Sequence, residues 1–249
     1  MNIVKGVLIA VLIGCITISA FNAYLIEKEY SAERAMHENE MRFRPEPSYD
    51  IAAHNAAEFH EDFVNQSILD LQALYPDVVG WITLPYTDID YPFVQAANNS
   101  AYLSRDLDGN HSIAGSIFME HENDRDFFDF NTIIYGHNMK NGSMFGTLKE
   151  FNNKSFFNAN KNGTIFLSDK TYAVDFFAFL VVPVGDDIIF SIPADRSPIL
   201  LYIDHVKEKA RHYRETGITP EDRIVMLSTC AYEFDDARMA LLGKITRIE

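Results

Sequence analysis

The chain has 249 residues, a length that corresponds to one or two domains at about 100–200 residues each. Its 21 lysines and arginines against 36 aspartates and glutamates give a net charge of −15. Sequence-independent nucleic-acid binding requires basic side chains that neutralise phosphates, so we expect no nucleic-acid partner for so acidic a chain. An apolar fraction of 47%, with 13% aromatic residues, excludes a disordered chain. The two cysteines, Cys15 and Cys230, lie in unlike surroundings and provide no disulfide framework.

The first feature along the chain is an apolar run over residues 7–26, VLIAVLIGCITISAFNAYLI, which contains no charged residue. A helix of about 20 residues crosses roughly 30 Å of hydrocarbon. A cleaved signal peptide is the alternative, but its apolar region is typically about 7–15 residues long and ends in a small-x-small site, which is absent here. Lys5 precedes the run, so the positive-inside rule places residues 1–6 in the cytoplasm. We expect a single-pass membrane anchor at 7–26 and an extracellular remainder.

Residues 27–75 are charged and contain no glycine, with apolar positions at helical spacing in their second half. Pro45 and Pro47 interrupt this region. The pattern predicts a stalk helix to about Arg44, a kink, and one or two helices that end before Tyr75-Pro76. We interpret 27–75 as a stalk with N-terminal helices.

Residues 76–249 have a different pattern, in which short β-rich runs alternate with Asn, Asp and Gly turn signals. Strands of this length and spacing favour a barrel or a sandwich. One long helix, predicted from Ser197 to Thr216, interrupts them, because Ser197-Pro198 is a good helix start and apolar residues then recur at helical spacing. The predicted strands are Gly80 to Leu84, Asp90 to Gln95, Gly115 to Glu120, Thr132 to Tyr135, Gly163 to Leu167, Tyr172 to Val182, Arg223 to Thr229 and Arg238 to Ile245.

The most informative pair of predicted strands carries a cysteine and an arginine at adjoining ends. If the strands starting at Arg223 and Arg238 form an antiparallel hairpin, Cys230 lies opposite Arg238 across the connecting loop. A guanidinium there favours the thiolate and offers two fixed hydrogen bonds to an oxyanion. His137, after the buried-looking strand TIIYG, is the candidate proton carrier.

Each of these residues also has an ordinary interpretation. A lone cysteine is usually a small core residue, a strand arginine is usually solvated, and a histidine at a strand end is usually a loop residue. We expect ordinary roles for four other histidines: His205 and His212 on a helix surface, His111 and His121 in turns. No Cys or His pair has zinc-ligand spacing and no Gly-rich phosphate loop is present, so we expect no metal site and no cofactor.

Taken together, the motifs resemble the sortase family. LSTC at 227–230 is similar to the catalytic-cysteine strand of that family, YGHNM at 135–139 to the segment around its histidine, and DAR at 236–238 to its arginine-bearing strand. PDVVGWI at 76–82 and YPFVQ at 91–95 are similar to the segments that open the barrel. GSIFM at 115–119 and GSMF at 142–145 extend the resemblance to about residues 60–249. YGHNM, N-terminal helices and a long helix before the cysteine strand are typical of class B.

The resemblance implies a mainly β fold with added helices: an eight-stranded closed barrel over 76–249. It also implies a membrane-anchored cysteine transpeptidase on the surface of a Gram-positive-type bacterium. Cys230, His137 and Arg238 would be catalytic. The expected substrate is a surface protein with a C-terminal sorting signal of NPxTx or xPxTG type, cleaved after Thr, and the expected acceptor is an amino group of a peptidoglycan precursor.

Four further residues match substrate-groove positions of class B: Asn99, Leu103, Tyr135 and Ser228. For Leu103 and Tyr135 simple core packing is an equal alternative. Some class B enzymes have an acidic residue directly after the cysteine, where this chain has Ala231, so we assign no acidic third catalytic member.

Two other functions use the same residues differently. A membrane-anchored cysteine hydrolase would cleave surface peptides without transfer, and an adhesion or scaffolding module would leave Cys230 inert.

One part of the chain lacks a residue-by-residue match to the family. It is the segment 182–193, which corresponds to the loop where the family binds its signal.

Overall fold

The computed structural model describes residues 2–46, 63–193, 199–230 and 236–248, and for Cys230 it describes the backbone alone. The chain divides into two compact units, Met1–Asn39 and Glu40–Glu249. The first unit is formed by helix α1, Asn2–Glu40, which a short 3-10 turn follows. This continuous helical stretch has a mean hydropathy of 2.3 in its most apolar window and is long and apolar enough to cross a membrane. A signal sequence can have the same length and composition, and the membrane anchor stays a prediction.

The second unit begins with one described helix before the sheet. Helix α2, Gln66–Leu74, starts at Asn65, whose side chain accepts a hydrogen bond from the Ile68 backbone N–H at 3.3 Å. Ile68 and Leu71 are fully buried. The helix ends immediately before Tyr75-Pro76, as predicted. Pro47 and the first part of the predicted N-terminal helices lie outside the described residues.

In the described part of the chain nine strands form one sheet, and eight of them close into a barrel. The strands are β1 Val78–Thr83, β2 Asp90–Val94, β3 Ile117–Met119, β4 Asn131–Tyr135, β5 Asn162–Phe166, β6 Thr171–Pro183, β7 Ala210–Tyr213, β8 Arg223–Cys230 and β9 Ala237–Arg247. In order around the barrel they are β5, β1, β2, β3, β4, β8, β9 and β6, and pairing of β5 with β6 closes it. All eight predicted strands are found, with ends shifted by up to two residues, so the predicted eight-stranded closed barrel is confirmed.

The long-helix prediction is wrong in its second half. Helix α4 spans Ile199–Lys209, and Ala210–Tyr213 forms β7, which pairs antiparallel with β6. The second half of β6 extends beyond β5 and leaves an edge open for this extra strand. Tertiary pairing thus overrides the helical spacing of the sequence. His212 therefore lies on a strand, and the predicted helix start at Ser197-Pro198 lies outside the described residues.

Two apolar cores hold the barrel together. One fills its interior and includes Phe93, Phe145 and Phe179, all of them fully buried. The other lies between the outer face of the sheet and α4, where Val206 and Tyr202 pack. A 3-10 segment and helix α3, Lys154–Ala159, were not predicted and lie between β4 and β5 in the chain.

Candidate active site

Strand register brings the predicted catalytic positions to one edge of the barrel. β4 and β8 are parallel, with Tyr135 opposite Ser228, so that His137 and Cys230 each follow two residues further on. β8 and β9 form the predicted antiparallel hairpin, in which Cys230 is the backbone partner of Arg238. The hairpin inferred from the sequence is therefore confirmed at the level of the backbone.

A cavity of about 310 Å³ opens at this edge. Six of the seven predicted site residues line it, and the seventh, Cys230, belongs to the same strand end by its backbone. Four lining residues were not predicted, and three of them, Phe118, Gly136 and Thr229, adjoin a predicted one in the chain or in the sheet. The lining residues are Asn99, Leu103, Phe118, Tyr135, Gly136, His137, Val184, Ser228, Thr229 and Arg238.

The imidazole of His137 is held by the backbone of the segment between β2 and β3. Its Nε2 lies 2.7 Å from the carbonyl oxygen of Leu103. A carbonyl oxygen can only accept, so Nε2 carries the hydrogen in this contact, and Nδ1 is the nitrogen left to exchange a proton. Leu103 thus contributes its backbone to the site, while its exposed side chain lines the cavity.

The guanidinium of Arg238 lies half-buried at the start of β9. Its one described hydrogen bond runs from Nη1 to the carbonyl oxygen of Ala237, at 3.1 Å. A guanidinium has five N–H donors in a planar fork, and among the described residues only Ala237 accepts from this one, which lines the cavity. Such a group can bind a carbonyl oxygen and stabilise the negative charge that develops on it.

A buried carboxylate that the sequence did not single out lies behind the cavity wall. Glu120 is 9% exposed and accepts hydrogen bonds from Asn99 and Tyr135, which both line the cavity. Burial opposes ionisation of Glu120, but the hydrogen bonds from Asn99, His121 and Tyr135 outweigh it and lower the pKa of this carboxyl group. Burial and the Glu120 charge in turn raise the pKa of Tyr135, so its hydroxyl remains a donor. His121, predicted to be an ordinary turn residue, belongs to this network.

Two hydroxyl groups at the end of β8 have no hydrogen-bond partner among the described residues. Ser228 Oγ and Thr229 Oγ1 are both buried, and both residues line the cavity. A buried polar group without a partner costs about 1–3 kcal/mol, so a ligand that supplies one would gain affinity.

The segment after β6 forms another part of the wall. Val184 lines the cavity, and its backbone N–H donates to the Asp236 carbonyl at 2.9 Å. Further along, the Asp186 carboxylate lies 3.1 Å from His205 Nε2 on α4, so His205 ties this segment to the helix. Residues 194–198 lie outside the described part of the chain.

No protein-family model matches the chain, but curated proteins and solved structures do. Sortase B of Listeria monocytogenes serovar 1/2a is 35% identical over 184 residues, which cover 73% of this chain and 75% of that protein. The chain belongs to the sortase B family.

Solved structures agree with this assignment. A Staphylococcus aureus sortase B–substrate complex superposes with a TM-score of 0.76 at 26% identity, covering 89% of this chain and 100% of that one. A Streptococcus pyogenes class B sortase involved in pilus biogenesis is 37% identical, with a TM-score of 0.67 and coverage of 71% and 96%. This sortase is accordingly a cysteine transpeptidase, and its substrates include peptides.

Proposed function

We propose that this sortase cleaves a C-terminal sorting signal after Thr and joins the new carboxyl end to an amino group of a peptidoglycan precursor. Cys230 is the nucleophile, His137 the proton carrier and Arg238 the oxyanion-binding group. One observation supports this proposal most: His137 and Arg238 line the same cavity, and the backbone of Cys230 pairs with Arg238 at its edge.

In the first half-reaction the Cys230 thiolate attacks the carbonyl carbon of the signal Thr. The carbonyl oxygen becomes an oxyanion, which the planar donors of Arg238 stabilise. The carbon–nitrogen bond then breaks, and the departing amine takes a proton from the His137 imidazolium through Nδ1. The products are a thioester on Cys230, a neutral imidazole and a free amine.

In the second half-reaction the acceptor amine attacks the thioester carbon. Neutral His137 takes the proton that the amine loses, and the carbon–sulfur bond breaks to restore the thiolate. Transfer prevails over hydrolysis when the amine outcompetes water for the acyl group. Both half-reactions therefore use Cys230 and His137.

We assign signal recognition to Asn99, Leu103, Tyr135 and Ser228. Leu103 offers an exposed apolar surface, Asn99 an amide oxygen that accepts one described hydrogen bond and can accept a second, and Ser228 a hydroxyl with no described partner. An NPxTx or xPxTG signal presents an extended backbone with few side-chain charges, which suits a cavity that combines apolar walls with a few polar groups. The Staphylococcus aureus sortase B–substrate complex supports substrate binding by this fold in general.

We further propose that residues 7–26 anchor the enzyme in the cell membrane, with residues 1–6 in the cytoplasm and the barrel outside. Helix α1 supplies the required length and hydropathy. A surface location would bring Cys230 to the substrates and the acceptor. Protease accessibility of the barrel in intact cells and in opened vesicles tests this orientation: digestion in intact cells supports it, and protection there contradicts it.

The transfer reaction is tested with the ectodomain, residues 27–249, and short NPxTx and xPxTG peptides, with and without triglycine as the amine. We expect a product that contains the peptide up to Thr joined to triglycine. Cleavage with no transfer at saturating amine would indicate the hydrolase. An unreactive Cys230 with every peptide would indicate the scaffolding module.

A second acceptor is favoured by one observation, the 37% identity to a class B sortase involved in pilus biogenesis. In that case the attacking amine would belong to a pilin subunit rather than to a peptidoglycan precursor. Competition between triglycine and a lysine-containing protein in the same assay separates the two acceptors, because the preferred amine gives the larger share of product.

A further inference from the structure

The carboxylate of Glu120 has four hydrogen-bond contacts, and three of them are with side chains that line the cavity, Asn99 and Tyr135. Asn99 Nδ2 donates to both oxygens at 2.6 Å, and the Tyr135 hydroxyl donates to Oε2 at 3.0 Å. His121 Nδ1 lies 2.6 Å from Oε1. Each carboxylate oxygen therefore has two partners, and the group is satisfied although its residue is only 9% exposed.

Asn99 is fixed at both ends of its amide. While Nδ2 donates to Glu120, Oδ1 accepts the backbone N–H of His121 at 2.9 Å. With both ends engaged, the side chain has one orientation, and this orientation depends on the carboxylate. Tyr135 is held similarly, since its hydroxyl donates to Glu120 and its ring packs on Phe118 with 5.3 Å between centroids.

Glu120 itself does not line the cavity, whereas Asn99, Tyr135 and Phe118 do. The carboxylate therefore reaches a bound peptide through other side chains. We infer that Glu120 is a positioning residue that holds Asn99 and Tyr135 in the orientation required for the sorting-signal peptide. This inference rests on the proposed function, since it concerns the substrate of that reaction.

Glu120→Gln is the most informative substitution, because it keeps the size of the side chain and replaces one acceptor oxygen with a donor N–H₂ group. In either orientation of the glutamine, the new amide N–H₂ group faces Asn99 Nδ2, which is also a donor. It faces Tyr135 in one orientation and His121 in the other. Asn99 must then turn or lose a contact. Glu122, two residues further on and exposed, provides a matched control, Glu122→Gln, that removes the same charge outside the network.

The test measures kcat and KM for peptide transfer in the wild type, Glu120→Gln and Glu122→Gln. Hydrogen bonds to charged groups have a strength that corresponds to about ten- to a hundredfold in affinity, so we expect KM to rise about tenfold or more in Glu120→Gln. We expect kcat to change by less than about threefold, and alkylation of Cys230 by iodoacetamide to proceed at the wild-type rate, because the nucleophile is not touched. Glu122→Gln should match the wild type.

A double-mutant cycle with Asn99→Ala identifies the route of the effect. If Glu120 acts through Asn99, the two substitutions together raise KM little more than either alone. Should Glu120→Gln fail to fold, Asn99→Ala alone takes over the test, with the same tenfold rise expected and an unchanged KM contradicting the inference.

Three results distinguish a failure of this inference from a failure of the proposed function. Kinetics of Glu120→Gln equal to those of Glu122→Gln, in an assay where the wild type transfers normally, would overturn the positioning role alone. A loss confined to kcat would overturn it as well. Absence of any transfer by the wild type would overturn the proposed function and this inference with it.

Discussion

Gly115 supports the carbonyl group that holds His137, and replacing it with alanine should displace that group. The residue has φ of +59°, and a Cβ atom added to it would lie 2.5 Å from the Tyr102 carbonyl oxygen and 2.7 Å from that of Leu103. Ordinary contact begins at 3.4 Å, so the Leu103 carbonyl must move by about 0.7 Å. That carbonyl is the one bonded to His137 Nε2 at 2.7 Å.

Two separate losses follow from Gly115→Ala. A non-glycine residue at positive φ costs about 1–3 kcal/mol of folding free energy, or roughly 2–12 °C in Tm for a domain of this size. A displacement approaching 1 Å in the catalytic arrangement costs up to about a hundredfold in rate. We therefore expect kcat/KM for peptide transfer to fall about ten- to a hundredfold, measured well below the Tm of the variant.

Gly217→Ala separates the two effects. Gly217 has almost the same φ, +61°, but nothing lies within 4 Å of its added Cβ. This control should lose stability to a similar extent and keep wild-type activity. Equal activity losses in both variants, or a fully active Gly115→Ala enzyme, would refute the role given to the Leu103 carbonyl.

Two further predictions concern Arg238 and Asp222. Arg238→Lys keeps the charge but lacks the planar fork, so single-turnover acylation by the peptide should slow about 10²–10³-fold; a rate within threefold of wild type would mean that charge alone suffices. For Asp222, burial opposes ionisation, but hydrogen bonds from Thr219 and the ion pair with Lys244 outweigh it and lower the pKa of the carboxyl group. Its stabilisation is therefore complete above the ordinary carboxyl pKa and is lost as the pH falls through the lowered value. Asp222→Asn should accordingly reduce Tm at pH 7 and have little effect at about pH 2, and an equal effect at both would contradict this.

The barrel could be predicted because its strands are short, apolar and separated by turn residues. The hairpin of β8 and β9 also follows from the sequence, since the seven residues between Cys230 and Arg238 leave little choice of pairing. Sequence periodicity failed at Ala210–Tyr213. These residues continue the helical spacing of α4, but they form a strand because they pair with the free edge of β6.

The candidate site, too, could be predicted only in part from the sequence. His137, Arg238 and the Cys230 position follow from motifs at strand ends, and the register of β4, β8 and β9 brings those ends together. Glu120 could not be identified in this way. An acidic residue that ends an apolar strand is usually solvated, and its buried network depends on Asn99, which lies 21 residues earlier in the chain.

The central claim, a thioacyl intermediate on Cys230, is tested most directly by intact-mass spectrometry of the ectodomain mixed with sorting-signal peptides. The account predicts an adduct equal to the peptide up to Thr, mapped to Cys230, absent from Cys230→Ala and discharged by triglycine into an amide product. An adduct that persists in Cys230→Ala, or transfer by that variant while it remains folded, would contradict it.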